Sequence, residues 1–196
     1  MLKQTMRYYM NNKIIISLPN CPKCGSENTS DEHPSMLYID NAPPDYPFEV
    51  EKGKARYYCL DCGHKWKKYR GRKPYSTIKR IETFAGGYPG PFFKVKIDIE
   101  NGKAEHIHYS FGDTIEQQNV LLISDEAKEW LLSELYKCDF LNWSEEYFRM
   151  AMDGSHWSVR IEYDTYCEIK TGSNHFPAKW AKFCKAVSKI SGGEFY

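Results

Sequence analysis

Two stretches of the chain alternate apolar and polar residues with a period of two. In the first, Phe93, Val95, Ile97 and Ile99 point one way and Lys94, Lys96, Asp98 and Glu100 the other. In the second, Trp157, Val159, Ile161 and Tyr163 form the apolar set. That period marks a half-buried strand. Each run is followed by a turn and a second strand-like run, so each reads as the first arm of a hairpin. After the first, Asn101-Gly102 suggests a two-residue turn, but that register would bring His106 and His108 against Ile97 and Val95. A three-residue loop over 100–102, with Gly102 as the left-handed residue, brings Ile107 and Tyr109 to the apolar face instead. Both histidines then sit outside, opposite Lys96 and Lys94. The same reasoning at 164–166 places Cys167 and Ile169 on the face of Tyr163 and Ile161.

Helical periodicity follows each hairpin. Ser124 caps a segment with Asp125 and Glu126 in its first turn and an apolar stripe of Ala127, Trp130, Leu131, Leu135 and Cys138. Pro177 opens a second helix that buries Trp180, Phe183, Cys184 and Val187 and stops at Gly192-Gly193. A short helix is expected over 144–152, and a turn-rich hinge over 86–91. Hairpin and helix thus occur twice, with the hairpins offset by 64 residues. The expected class is α+β: a small zinc-ribbon module over 1–76, then a domain over 77–196. That domain is an antiparallel sheet of two ββα units with both helices on one face.

Chemistry enters with two cysteine pairs, Cys21-Pro-Lys-Cys24 and Cys59-Leu-Asp-Cys62, with 34 residues between them. Four thiolates delivered as two such turns complete a tetrahedral shell around one zinc ion without outside help. A redox pair needs one Cys-x-x-Cys beside a βαβ pattern, whereas here there are two copies, the second followed by Gly63-His64-Lys65-Trp66. A zinc deaminase needs His-x-Glu and Pro-Cys-x-x-Cys, neither of which occurs. His33 and His64 are left out of the ligand set because Cys21, Cys24, Cys59 and Cys62 suffice. The expected cofactor is one structural Zn2+. The pattern resembles a zinc ribbon, with strand-like runs at 14–16 and 54–58 leading into the turns, a further strand over 35–40 and a proline-rich excursion over 41–47.

The remaining cysteines, Cys138, Cys167 and Cys184, are an odd set, which argues against a disulfide framework and for a reducing, cytoplasmic setting. All three are expected to be buried and slow toward thiol reagents. No stretch is long and apolar enough for a membrane span, and the start of the chain is too polar for a signal peptide. Net charge is only +1 over 196 residues, yet it is unevenly spread. Residues 1–80 hold 15 Lys and Arg against 8 Asp and Glu, or +7, and residues 81–196 hold 12 against 18, or −6. A polyanion would meet the first half, and the acidic half would face a basic partner or the first half itself.

The cationic excess concentrates over 65–80, where eight of sixteen residues are Lys or Arg and none is acidic. Lys65, Lys67, Lys68, Arg70, Arg72 and Lys73 are placed to contact phosphates, and Trp66, Tyr69 and Tyr75 to stack on bases, the combination used by single-strand binders. The competing interpretation is a solvated linker with Trp66 packed on the metal turn. From Gly86 onward, Asp153-Gly-Ser-His-Trp157 and Gly172-Ser-Asn-His-Phe-Pro177 with Trp180 resemble the motifs of a bacterial domain family of unassigned function, which implies no activity. The expectation is therefore a non-catalytic zinc protein contacting DNA or RNA through its basic module. The alternative is an adaptor or inhibitor that binds a protein partner and uses zinc only as a staple. No Ser-His-Asp, phosphate-binding loop or paired-carboxylate signature points to an enzyme.

Overall fold

The two alternating runs lie near the middle of a large sheet. The computed structural model describes residues 18–31, 49–110 and 114–196. Its first strands are β1 (Thr29–Ser30), β2 (Glu49–Lys52), β3 (Arg56–Cys59), β4 (Lys65–Lys67), β5 (Arg80–Gly87), β6 (Phe92–Asp98), β7 (Lys103–Tyr109) and β8 (Ile115–Leu122). Helix α1 (Asp125–Lys137), strands β9 (Glu146–Arg149), β10 (Ser155–Glu162) and β11 (Cys167–Ser173), and helix α2 (Trp180–Ser191) follow. The runs expected as strands at 14–16 and 35–40, the excursion at 41–47 and His33 lie outside the described residues.

The class is α+β. Strands β1, β3 and β4 form a small sheet, and the other eight are ordered β2-β9-β11-β10-β5-β6-β7-β8. All pairs are antiparallel except β9 with β11. Ser124 caps α1 by accepting the Ala127 N–H, and Leu131 and Leu135 enter the core. α2 buries Trp180, Phe183, Val187 and Ile190 and ends at Gly192, whose φ of 70° suits a residue without a Cβ. Hairpin then helix does occur twice in the chain, with β8 added in the first instance. The two hairpins extend the sheet in opposite directions from β5, with β6 and β10 both antiparallel to it. Because their inner faces also coincide, the two hairpins are mirror-arranged, and no rotation superposes one on the other.

The hairpin registers differ from the sequence expectation, and both differ in the same way. Asp98 pairs with Lys103 and Glu162 with Cys167, so the loops are 99–102 and 163–166, four residues each. An even loop reverses the inside and outside of the returning strand. The first loop is closed by the Asp98 carboxylate, which accepts the Asn101 backbone and side-chain N–H groups at 2.9 Å. The second is closed by the Tyr163 N–H donating to the Tyr166 carbonyl at 2.9 Å. Gly102 does adopt a left-handed φ of 65°. His106 and His108 consequently face inward, opposite Val95 and Phe93, while Cys167 is exposed and Ile169 is 55% exposed. Cys138 and Cys184 are buried as expected.

One row of side chains therefore crosses the inner face as His106, Val95, Thr83, Val159 and Lys170. Its ends are polar yet 1% and 2% exposed. His106 Nε2 donates to the Glu194 carbonyl at 2.6 Å, and Lys170 Nζ donates to the Trp143 and Leu141 carbonyls at 2.9 and 3.3 Å. Thr83, His106 and Lys170 each reach a backbone carbonyl, which removes much of the penalty that the alternation rule assumes, although His106 Nδ1 and His108 Nε2 are left unpaired.

Residues 144–152 contain strand β9 rather than a helix. Tyr147 is buried between β2 and β11, and a ladder on both sides outweighs local helix preference. Residues 86–91 form the end of β5 and the turn into β6. Two stretches grouped by sequence with the ribbon belong physically to the large sheet. Strand β2 is its edge, and Tyr75 is buried in its core, with Tyr69 packed alongside.

Candidate metal centre

The two cysteine turns have the same local build. In the first, Gly25 N–H donates to the Cys21 carbonyl at 2.8 Å, and in the second Gly63 N–H donates to the Cys59 carbonyl at 3.0 Å. Both glycines are left-handed, with φ of 75° and 70°, so the residue after each second cysteine carries the chain out of the turn. β3 brings Cys59 beside Thr29 of β1, and β4 returns to pair Tyr57 with Trp66. The four sulfur atoms lie within 4.8 Å of one another. Cys21 Sγ is 3.7 Å from Cys62 Sγ, and Cys24 Sγ is 3.6 Å from Cys59 Sγ.

Those separations fit the metal. Four sulfurs at about 2.3 Å from a tetrahedral zinc stand roughly 3.8 Å apart. The thiols also disturb one another's ionisation. Burial pushes Cys21 up, but hydrogen bonds from the Cys24 and Lys23 backbone and from the Cys24 and Cys62 thiols bring it down to about 7. For Cys24 the Ser26 backbone N–H favours the thiolate, yet the Cys62 thiol, burial and the thiols of Cys21 and Cys59 push it up to about 12. A cluster that resists full ionisation is the donor set that a dication completes. All four positions of a tetrahedral shell are then protein ligands, so no position remains for substrate or activated water.

Asp61, between the ligands of the second turn, latches the two turns together. It accepts from Asn28 Nδ2 at 2.7 Å and from the Ser26 hydroxyl, and these bonds hold its carboxyl below the ordinary aspartate range. Trp66 is 8% exposed, packs with Cys21 and Cys59, and stacks against His64. The Trp66 ring is thereby committed to the metal turn.

The basic segment leaves the ribbon along the α+β core. Tyr69 donates its hydroxyl to Glu168, and its backbone is bracketed by Asn142, which accepts its N–H at 3.0 Å and donates to its carbonyl at 2.9 Å. Burial and Glu168 hold the Tyr69 hydroxyl in its protonated form far above the ordinary range. Lys67 is 2.5 Å from Asp139 and Lys68 is 3.7 Å from Glu168, so part of the charge asymmetry is answered within the chain. Lys65 lies over the Tyr58 ring and Arg72 over the Tyr136 ring. Lys65, Arg70, Arg72 and Lys73 are exposed, with no carboxylate in ion-pair range among the described residues.

Sequence reasoning missed Asp61, whose only signal was its place inside a Cys-x-x-Cys. It also missed a cleft in which Lys67 and Arg70 meet Tyr136, Lys137 and Lys179. Those last three are far away in sequence and look like ordinary helix residues.

Comparison with protein-family models and with curated proteins returns no match. The Asp-Gly-x-x-Trp and Gly-Ser-Asn motifs have a structural account of their own. Asn174 Oδ1 accepts the Ser155 N–H at 2.8 Å, and a Cβ on Gly154 would fall 1.6 Å from that oxygen. Trp157 Nε1 donates to the His175 carbonyl at 2.8 Å, and a Cβ on Gly172 would fall 2.0 Å from Nε1. The two motifs interlock across β10 and β11, and their residues build a joint in the core. No helix among the described residues is long and apolar enough to cross a membrane.

Proposed function

We propose that this is a non-catalytic zinc-ribbon protein of the cytoplasm that contacts nucleic acid through the basic segment following its second cysteine turn. The supporting observation is the exposed, carboxylate-free set Lys65, Arg70, Arg72 and Lys73, carried on a backbone that β4 and Asn142 hold up to Tyr69 and that the buried Tyr75, donating its N–H to the Arg72 carbonyl, holds beyond. A closed thiolate shell suits a scaffold, and an ordered row of cations suits a phosphate backbone. Phosphate contacts release condensed counterions, so affinity falls steeply with salt. Trp66 is packed on the metal turn, which makes the segment chiefly an electrostatic surface.

Labelled single- and double-stranded DNA and RNA, titrated by fluorescence anisotropy across a salt series, test this. Changing Lys65, Arg70, Arg72 and Lys73 together to Gln should flatten the slope of log affinity against log salt by about three units, with zinc content unchanged. Absence of binding by the unmodified protein at low salt sinks the reading.

A protein-binding adaptor is the second reading, and strand β8 favours it. Among the described residues β8 is an outer edge of the large sheet, eight residues long, with Ile115, Val120 and Leu122 exposed. An open edge of that kind accepts an added strand.

A further inference from the structure

The cleft between the basic segment and the C-terminal end of α1 has a volume of ≈ 450 Å³, within the range of about 300–1,000 Å³ usual for small-ligand sites. Four cations line it, Lys67 and Arg70 from the segment and Lys137 and Lys179 from the α+β domain, against one carboxylate, Asp139. Glu134, 2.5 Å from Lys137 and 3.4 Å from Lys182, offsets a second of these charges, so Arg70 and Lys179 are the two lining cations without a carboxylate partner among the described residues. The end of a helix ordinarily repels anions, because its last carbonyls point outward. Here Lys179 Nζ donates to the Lys137 carbonyl at 2.7 Å, which answers that carbonyl and leaves two ammonium N–H donors over. Asp139 spends its charge on Lys67.

An aromatic ring lies in the same cleft. Tyr136 is 38% exposed, its ring held edge-on by Tyr75 at 5.5 Å and covered on one face by the Arg72 guanidinium at 5.4 Å. Cations beside a fixed, partly open ring are what a phosphate and its adjoining base require. Trp66, which sequence pattern nominates for stacking, is buried, and Tyr136 is the partly open ring that the cleft offers.

We infer that this cleft seats one nucleotide unit of a single-stranded nucleic acid, its phosphate among Lys67, Arg70, Lys137 and Lys179 and its base against Tyr136. The inference rests on the nucleic-acid reading above and extends it to residues outside the basic segment. A duplex keeps its bases stacked and cannot offer one to the ring, so single strands are preferred.

The test uses the full chain with zinc bound and a fluorescent ten-nucleotide single strand. Lys137→Gln combined with Lys179→Gln is expected to flatten the salt slope by about one unit, while Lys179→Arg keeps it. Tyr136→Ala is expected to weaken binding about tenfold at every salt concentration for single strands and to leave duplex binding unchanged. Thermal melts of each variant confirm that the fold is kept. If the Lys65/Lys73→Gln protein loses affinity while the Lys137/Lys179 and Tyr136 variants bind as before, the cleft assignment is overturned and the basic-segment reading stands. A free mononucleotide binding as tightly as the ten-mer overturns the strand as occupant. No binding of any nucleic acid overturns both.

Discussion

The small sheet and the large one are held together by different physics. Among the described residues the ribbon's buried apolar cluster is Cys21, Cys59 and Trp66, with Tyr57 alongside, a small core for three short strands. The large sheet has a continuous core from Tyr75 to Phe195, including the stacked ring pair Phe140 and Phe183 and the joint of Trp157 with Trp180. Four thiols placed to share one metal ion distinguish the first, and many weak contacts hold the second. A single atom therefore matters most in the ribbon, whereas shape matters most in the sheet.

The sharpest way to break this contrast is to remove the metal. Structural zinc supplies roughly 10 to 16 kcal/mol in small modules. Metal analysis should find one zinc per chain, and Cys59→Ser or chelation should erase the amide signals of 21–31 while β5, β6 and β10 persist. Retention of the ribbon signals without metal would show that its own packing suffices.

The next effects belong to the sheet. Trp157→Ala should cost about 3 to 5 kcal/mol in urea unfolding, and Gly172→Ala about 1 to 3, since its Cβ displaces the same indole. Zinc content should not change in either. Lys170→Met leaves the Leu141 and Trp143 carbonyls without their donor, an expected loss of about 1 to 3 kcal/mol. A Lys170→Met protein more stable than the parent would show that burying the ammonium costs more than its two bonds return.

A pH dependence at the alkaline end, absent at neutral pH, comes last. Burial pushes Tyr147 up to about 12, and Cys184 likewise to about 12. A group with a raised folded value holds its proton in the native state after the unfolded chain has lost it. Its stabilisation is complete below the unfolded value and is lost as pH rises through the folded one. Unfolding free energy should fall between about pH 9 and 12, by about 1 kcal/mol from Tyr147 alone at pH 11. Thiol labelling sharpens the same point, with Cys167 reacting quickly and Cys138 and Cys184 slowly.

Legibility in the sequence follows the same division. The clustering of Cys21, Cys24, Cys59 and Cys62 could be read from spacing because a metal shell of this kind accepts few donor sets. The strands β6 and β10, the Ser124 cap and the Gly192 stop were legible because each is a local preference. Registers were not, since Asp98 and Tyr163 close their loops with bonds that a hydrophobicity pattern does not encode. The rule that polar residues face out failed at His106 and Lys170, whose acceptors come from residues 194, 141 and 143. The cleft was illegible for a similar reason, as Lys67 and Lys179 meet only after folding.

Strand β2 and Tyr69 have a further consequence for the metal centre. β2 is zipped to β9 on one side of the second cysteine turn, and Asn142 grips the chain at Tyr69 on the other. Residues 53–68 are thus a closed loop pinned to the sheet at both ends. Much of the entropy of shaping that turn is spent when the sheet folds. The first turn has no comparable moorings among the described residues and leans on β3, on Asp61 and on whatever ion the four thiols share. Loss of zinc should therefore proceed in order, with the first turn departing and the second lingering as a preformed half-socket. Hydrogen exchange in chelator should reach the Gly25 amide well before the Gly63 amide.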